Sequence, residues 1–396
     1  MAPEELGDRS VEPSLPAAET PDYIPALPAW PDPTTELCRY CLMCRHVCPV
    51  TRVTGNEATS PHGWALLIAS VQRQLIEWNE DTVDLLYQCA DCGLCQAHCV
   101  TDQPLPLTIE AARAGVVDQK LAPPAVYELQ DRLQRWGNPY RNVAPEAVSA
   151  SGETALVVGA GGYHLEPATV SAAVRLLGAA KADVVTVAAG RASPYLAMTL
   201  GLLAEARVLA SDTLEELAVS GARRAFFLGP GDAYTFGSLL PHLGLDWPAE
   251  VELLEATDFL AGRLRQGELA FSPAELSDSC FFDPDHTVRR PGRFEAPREL
   301  LQAVGCGPLI ELFWRQERAA PCGASGGLPF TQPELALELA RATLNEAQNR
   351  GIQTLITDDP EVLHHLRRSR IDDDPVIVSL YELLAEQLVE PGAKSS

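Results

Sequence analysis

The sequence predicts a small helical domain wrapped around cysteines, followed by two α/β units with parallel sheets. Three observations predict this. Eight cysteines crowd into two runs between Cys38 and Cys99, and the segments between and after the runs are helical in pattern. Beyond Glu153, short apolar runs alternate with amphipathic helical stretches, the texture of parallel βαβ units. The later part of that alternation repeats the earlier part at an offset of roughly 125 to 135 residues, so one unit reads as a diverged copy of the other.

Composition narrows the function. A chain of 396 residues has room for two or three domains. Its 46% hydrophobic and 21% charged residues are ordinary globular proportions. A formal net charge of -24 repels phosphate and anionic headgroups, which argues against nucleic acid as a partner. Residues Met1 to Asp8 lack the basic, then apolar pattern of a secretory signal. The most apolar stretch, Tyr195 to Ala210, is broken by Glu205 and Arg207 and falls short of the ~20 apolar residues a spanning helix needs. The expectation is a cytoplasmic protein with no membrane span of its own. Its 11 cysteines then stay reduced, and where clustered they read as metal ligands rather than disulfides.

Taken in order, residues 1–35 form a flexible arm rich in Pro and acidic side chains. The helical cysteine domain covers 36–145. Within it, Gly63 to Trp78 carries Trp64, Leu67, Ile68 and Val71 at helical spacing. Pro123-Pro124 opens a further helix, Ala125 to Trp136, stopped by Gly137-Asn138-Pro139. The first α/β unit covers 153–268, with strands expected at Ala155–Val158, Asp183–Val187 and Ala225–Leu228. The second covers 275–390. Pro230 after Phe226-Phe227-Leu228 matches Pro360 after Leu355-Ile356-Thr357, and Val251–Leu264 matches Val376–Leu388.

The first cysteine run, Cys38-Arg39-Tyr40-Cys41-Leu42-Met43-Cys44-Arg45-His46-Val47-Cys48-Pro49, is C-x2-C-x2-C-x3-C-P. The second, Cys89-Ala90-Asp91-Cys92-Gly93-Leu94-Cys95-Gln96-Ala97-His98-Cys99-Val100, keeps that spacing with Val as the last residue. Three thiolates two residues apart wrap three corners of a 4Fe-4S cube while the fourth reaches the other cube. Cys38, Cys41, Cys44 and Cys99 are therefore expected to hold one cluster, and Cys89, Cys92, Cys95 and Cys48 the other. Structural zinc prefers pairs of C-x2-C and has no use for a third cysteine in each run. With four cysteines per cluster, His46 and His98 are left to surface or supporting roles. Arg39 and Arg45 either offset cluster charge or are simply solvated.

Val158-Gly159-Ala160-Gly161-Gly162-Tyr163-His164 lies between a strand and a helix, as a dinucleotide fingerprint requires. His164 stands where the third glycine belongs, and the second strand runs into Ala188-Ala189-Gly190 with no carboxylate for a ribose. It reads as a plain strand-to-helix turn.

Cys280, Cys306 and Cys322 remain, too few for a cube. With Trp136-Gly137-Asn138-Pro139, Asp278, Arg298-Glu299-Leu300-Leu301 and the turn Cys322-Gly323-Ala324-Ser325-Gly326-Gly327, the two motifs make the chain resemble a family of iron–sulfur subunits. Its members serve glycolate and lactate oxidation, anaerobic glycerol-3-phosphate dehydrogenase and heterodisulfide reductase. They join a dicluster ferredoxin domain to two cysteine-rich CCG domains, each with one cysteine, a Cys-Cys-Gly and a C-P-x-C. The resemblance covers about Thr35 to Leu388. In the second copy only Cys280 and Cys322 match, as the two survivors of a degenerate metal site. Pro321 replaces the first paired cysteine and Asp359-Pro360-Glu361-Val362 stands for C-P-x-C. The first copy has no cysteine at all, so the resemblance implies two 4Fe-4S clusters and no third. Cys306, off the family pattern, reads as a buried apolar residue.

The same resemblance implies an electron-transfer subunit rather than a complete enzyme. Electrons would come from an FAD-dependent partner oxidising a 2-hydroxy acid such as glycolate. They would pass toward a quinone-linked membrane partner or another acceptor, with the chain held at the inner membrane face through that partner. The alternative it allows is a thiol/disulfide reductase component of heterodisulfide-reductase type, working at the second CCG domain.

Overall fold

The computed structural model describes residues 35–142, 151–285 and 293–389. Apart from Thr35, the arm expected over residues 1–35 lies outside the described residues.

The first described stretch is helical, with principal helices Pro61–Gln72, Glu80–Tyr87, Leu105–Asp118 and Pro124–Trp136. Each boundary has a local cause. Ser60 Oγ accepts from the Gly63 N–H at 3.0 Å and Pro61 occupies the first turn, where its missing N–H costs nothing. Asn79 and Thr82 form a capping box that satisfies two orphan donors. Gly137, at φ 66°, ends Pro124–Trp136, and its N–H closes the helix on the Leu133 carbonyl at 2.9 Å. The helix expected to reach Trp78 stops at Gln72. The apolar residues beyond it, Leu75 and Ile76, are exposed, so no core rewards further turns.

Both sheets are parallel. β1 (Thr154–Val157), β2 (Val184–Val187), β3 (Arg224–Phe227) and β4 (Glu252–Glu255) lie in the order β2-β1-β3-β4. β5 (Ser279–Phe281), β6 (Thr354–Thr357) and β7 (Val376–Ser379) lie in the order β5-β6-β7. The repeat read from the sequence is visible here. β3 and β6 each run into a helix that begins at a proline, Pro230 and Pro360. β4 and β7 each pass directly into a helix, Ala256–Arg265 and Leu380–Gln387.

One apolar cluster joins the two units, with Leu176, Leu177 and Phe226 of the first against Leu300, Ile356 and Leu384 of the second. Each such fully buried side chain contributes ~1.5–3 kcal/mol. Across the same seam, Glu166 accepts from Arg367 Nη1 at 2.5 Å and lies 3.1 Å from His364 Nδ1. A second cluster joins the helical domain to the first unit, packing Trp64, Tyr87 and Leu129 with Tyr195, Met198 and Phe236.

Candidate metal centre

The two cysteine runs are curled in the same way. Tyr40 and Asp91 each stand two residues after the first cysteine of their run, and both have φ 51°. Leu42 (φ 65°) and Gly93 (φ 82°) each follow the second cysteine. Left-handed backbone costs a residue with a side chain about 1 kcal/mol or more. Its recurrence at matched positions is what turns successive thiols to one side.

Cys38, Cys41, Cys44 and Cys99 line one cavity, together with Cys95. Cys48, Cys89, Cys92 and Cys95 line a second. Cys95 and Pro61 belong to both walls. The last cysteine of each run thus lies on the wall of the cavity lined by the other run.

The electrostatics follow the same grouping. Burial pushes the Cys44 thiol up to about 11, and repulsion from Cys38, Cys99 and Cys41 adds to the rise. Burial also holds Cys95 well above its ordinary range, with repulsion from Cys92, Cys89, Cys48 and Cys44. Four thiols that repel one another ionise together only around compensating positive charge, and thiolate is the donor that iron–sulfur clusters use. Each cavity has four or more cysteines on its wall, a donor set that fits a 4Fe-4S cube. Backbone N–H groups already point at two sulfurs, Asp91 N at 3.3 Å from Cys89 Sγ and Gln103 N at 3.4 Å from Cys99 Sγ.

His46 and Arg39 are exposed, and exposed Arg45 pairs with Glu57. His98 Nδ1 lies 3.0 Å from the Leu94 carbonyl, with its ring edge-on to Trp314.

Sequence reasoning missed a buried polar network behind the second run. Arg113 is fully buried, donating to the carbonyls of Leu86 (2.8 Å), Cys89 (2.8 Å) and Thr199 (2.6 Å) while lying over the Tyr87 ring. Asp91, also buried, accepts from Tyr195 and from Thr199 Oγ1, the latter at 2.9 Å. Ser325 Oγ donates to the Ala90 carbonyl at 3.0 Å. The second loop is therefore clamped between the helix Pro194–Thr199 and the turn after Cys322. A lone Arg in the apolar helix Leu105–Asp118 was the available signal.

Cys280 and Cys322 share one buried apolar cluster with Phe282 and Leu312, and burial pushes the Cys280 thiol up to about 12. Cys306 is buried in the core between the units. The Cys322 turn is held by Asp285, which accepts from the N–H groups of Cys322 and Ser325, both at 3.0 Å. The glycine-rich segment after β1, expected as a plain turn, winds directly into a short helix, Gly161–Leu165, ahead of the helix Pro167–Ala179. Gly159 to Gly162 also line a cavity between the two sheets, shared with Gly229, Asp232, Ser325 and Asp359. Ligands of open parallel sheets bind at this edge, beyond the strands' carboxyl ends.

The paired cysteine loops and their helical wrapping are the part of the chain that carries an iron–sulfur likeness. Residues 34–102 match the family model of the 4Fe-4S dicluster domain. Among curated proteins, the chain is similar to the D-type subunit of dihydromethanophenazine:CoB–CoM heterodisulfide reductase. The relative from Methanosarcina mazei is 24% identical over 342 residues, 80% of each chain. The one from Methanosarcina barkeri is 26% identical over 191 residues, 46% of this chain and 45% of the relative. A "probable membrane-anchored ferredoxin" of Chromohalobacter salexigens is 25% identical over 299 residues, 70% of this chain and 43% of its own. The chain thus spans less than half of two of these relatives and four fifths of the third. A hypothetical protein from Helicobacter pylori shares the fold, with a TM-score of 0.58 at 12% identity over 84% of this chain and 68% of that one. No helix among the described residues is long and apolar enough to cross a membrane.

Proposed function

We propose that this chain is the electron-transfer subunit of an oxidoreductase complex and holds two 4Fe-4S clusters. Cys38, Cys41, Cys44 and Cys99 hold one, and Cys48, Cys89, Cys92 and Cys95 the other. The observation that carries this reading is the pair of cysteine-lined cavities with exchanged fourth cysteines and a shared wall. Clusters bound there supply one-electron storage at two adjoining points. The chain's own residues keep the two sites together, exclude water from the second loop through the Arg113 and Asp91 network, and leave the first loop accessible.

That accessibility sets the direction of the proposal. Leu42 and Met43, on the way from Cys41 to Cys44, are 45% and 51% exposed, and Leu37 is 50% exposed. An apolar rim around a redox centre suits transient docking of a protein partner. We assign that partner as a flavoprotein acting on a 2-hydroxy acid, with electrons passing on to a quinone-linked or other acceptor. The relatedness to a reductase subunit and to a membrane-anchored ferredoxin supports a place in a multi-subunit assembly near a membrane.

A thiol/disulfide reductase working at Cys280 and Cys322 is the weaker reading. It needs a thiolate open to substrate, whereas both thiols are buried and driven toward the neutral form. In the favoured reading Cys280 and Cys322 pack the second unit and hold no third cluster. Iron and acid-labile sulfide measured on anaerobically purified chain test this directly. About eight irons per chain support it, and about twelve indicate a further cluster and return the reductase to first place.

A further inference from the structure

The cavity between the two sheets belongs to neither cysteine loop, and its chemistry is one-sided. About 680 Å³ counted out to its mouth, it is walled by glycine turns and by four carboxylates, Asp232, Asp285, Asp359 and Glu361. No Lys, Arg or His lies among its described lining residues. The carboxylates feel one another. Asp359 is pushed up to about 7, chiefly by burial and then by Asp285 and Asp232. Asp232 is buried at 8% exposure, and its Oδ1 has no hydrogen-bond partner. An unpaired oxygen on a buried carboxylate loses the solvation it had in water and gains nothing in return. The glycines keep the wall thin: a Cβ on Gly159 would stand 3.2 Å from Asp232 Oδ2.

From this geometry we infer that the cavity is a binding site for a small organic cation, an amine protonated at neutral pH, whose N–H donors reach Asp232, Asp359 and Glu361. An anion such as a 2-hydroxy acid or a sulfonate is repelled by those of the four carboxyls that are ionised and brings no N–H donor to the unpaired Asp232 oxygen. A bare metal ion fits poorly, because no three donors stand at single-ion spacing among the described residues. An ammonium compound with two charges bridges carboxylates that one ion does not reach.

The site also adjoins the second cysteine loop. Tyr195 and Thr199 line the cavity and hold Asp91 on their other side. Ser325 and Gly326 line it too, with Ser325 bonded to the Ala90 carbonyl. A cation bound here places positive charge one residue layer from that loop. The coupling to redox chemistry rests on the proposed cluster assignment, whereas binding itself does not.

The test is isothermal titration of the full, anaerobically purified chain with 1,4-diaminobutane, and separately with Mn²⁺, at neutral pH. One diamine per chain is expected. Asp232→Asn and Glu361→Gln should weaken it roughly tenfold or more, while Asp372→Asn, an exposed carboxylate away from the cavity, should leave it unchanged. Circular dichroism and iron content confirm that each variant is folded and loaded. Mn²⁺ binding without diamine binding overturns the inference in favour of a metal site. Absence of binding, or diamine binding that Asp232→Asn and Asp372→Asn weaken equally, overturns the site altogether. If diamine binds, a rise in the midpoint potential of one 4Fe-4S signal locates the charge beside the second loop. A binding isotherm with no such rise leaves the cation site standing and counts against the cluster assignment.

Discussion

The Tyr195 hydroxyl donates to the buried carboxylate of Asp91 and lies 3.1 Å from the Asp91 carbonyl, across 104 residues of sequence. Asp91 sits between Cys89 and Cys92, so this contact fixes a carboxyl group within the second loop itself. Tyr195→Phe removes a donor from a buried charge and should cost about 1.5–3 kcal/mol. It leaves the carboxylate less compensated, so the more buried cluster should become harder to reduce while the other is unmoved. Potentiometric titration followed by EPR reads both. Equal shifts in the two potentials, or none, would sink the assignment of Asp91 to the second site.

Arg113 ties three backbone carbonyls, Leu86 and Cys89 of one segment and Thr199 of another, to one guanidinium. Arg113→Lys keeps the charge and loses the fork, so it should behave more like Arg113→Ala than like wild type. Both should lose about 3 kcal/mol or more of stability, seen as a lower thermal midpoint. Near-complete rescue by Lys would show that charge alone matters there.

Much of this architecture is legible in the sequence, and the limits have physical causes. Strands β1, β2 and β3 fall where apolar runs predict them, because buried parallel strands must be apolar on both faces. Pro230 and Pro360 mark equivalent helix starts because the first helical turn tolerates proline. The strand order β2-β1-β3-β4 is not written locally, since it depends on which crossovers pack. β2 has no counterpart in the second sheet among the described residues, so the repeat alone could not place it. The two cysteine runs could be read as a ligand pattern because ligand spacing is itself a geometric constraint. The roles of Asp91, Arg113 and Tyr195 could not be read, because their partners lie in distant segments. Gly159 to Gly162 read as a turn, whereas they already run into the short helix Gly161–Leu165, and their place on a cavity wall depends on Asp359 from the other unit.

Stability should fall as pH rises through the titration of Asp232. Burial pushes this carboxyl up to about 6, partly offset by Ser193, while the unfolded chain titrates near its ordinary value of about 4. Between these values the folded state binds more protons than the unfolded one, so raising the pH favours unfolding. Asp232→Asn should match wild type near pH 4 and exceed it by about 2–3 kcal/mol at pH 8. Denaturant melts at the two pH values check this. A variant destabilised equally at both would mean that the carboxylate is held charged by a partner.

Arg298 locks the loop that carries Asp285. It reaches Asp283 at 2.7 and 2.8 Å and Glu311 at 2.9 and 2.9 Å, with its plane against Phe281. Arg298→Ala strands two carboxylates, one of them buried, and should cost about 3–5 kcal/mol. Chemical denaturation measures it, and a loss under about 1 kcal/mol would show that the loop does not depend on this pair.

Crossed ligation, in which each cluster takes its fourth ligand from the other cysteine run, can be checked by iron analysis of two double variants. In the crossed arrangement Cys41→Ser with Cys99→Ser damages one site twice and leaves the other whole. That variant should retain about four irons and a single, magnetically isolated 4Fe-4S signal, whereas Cys41→Ser with Cys48→Ser should lose both clusters. The reverse result, four irons in the second variant and almost none in the first, would mean that each run closes its own cluster.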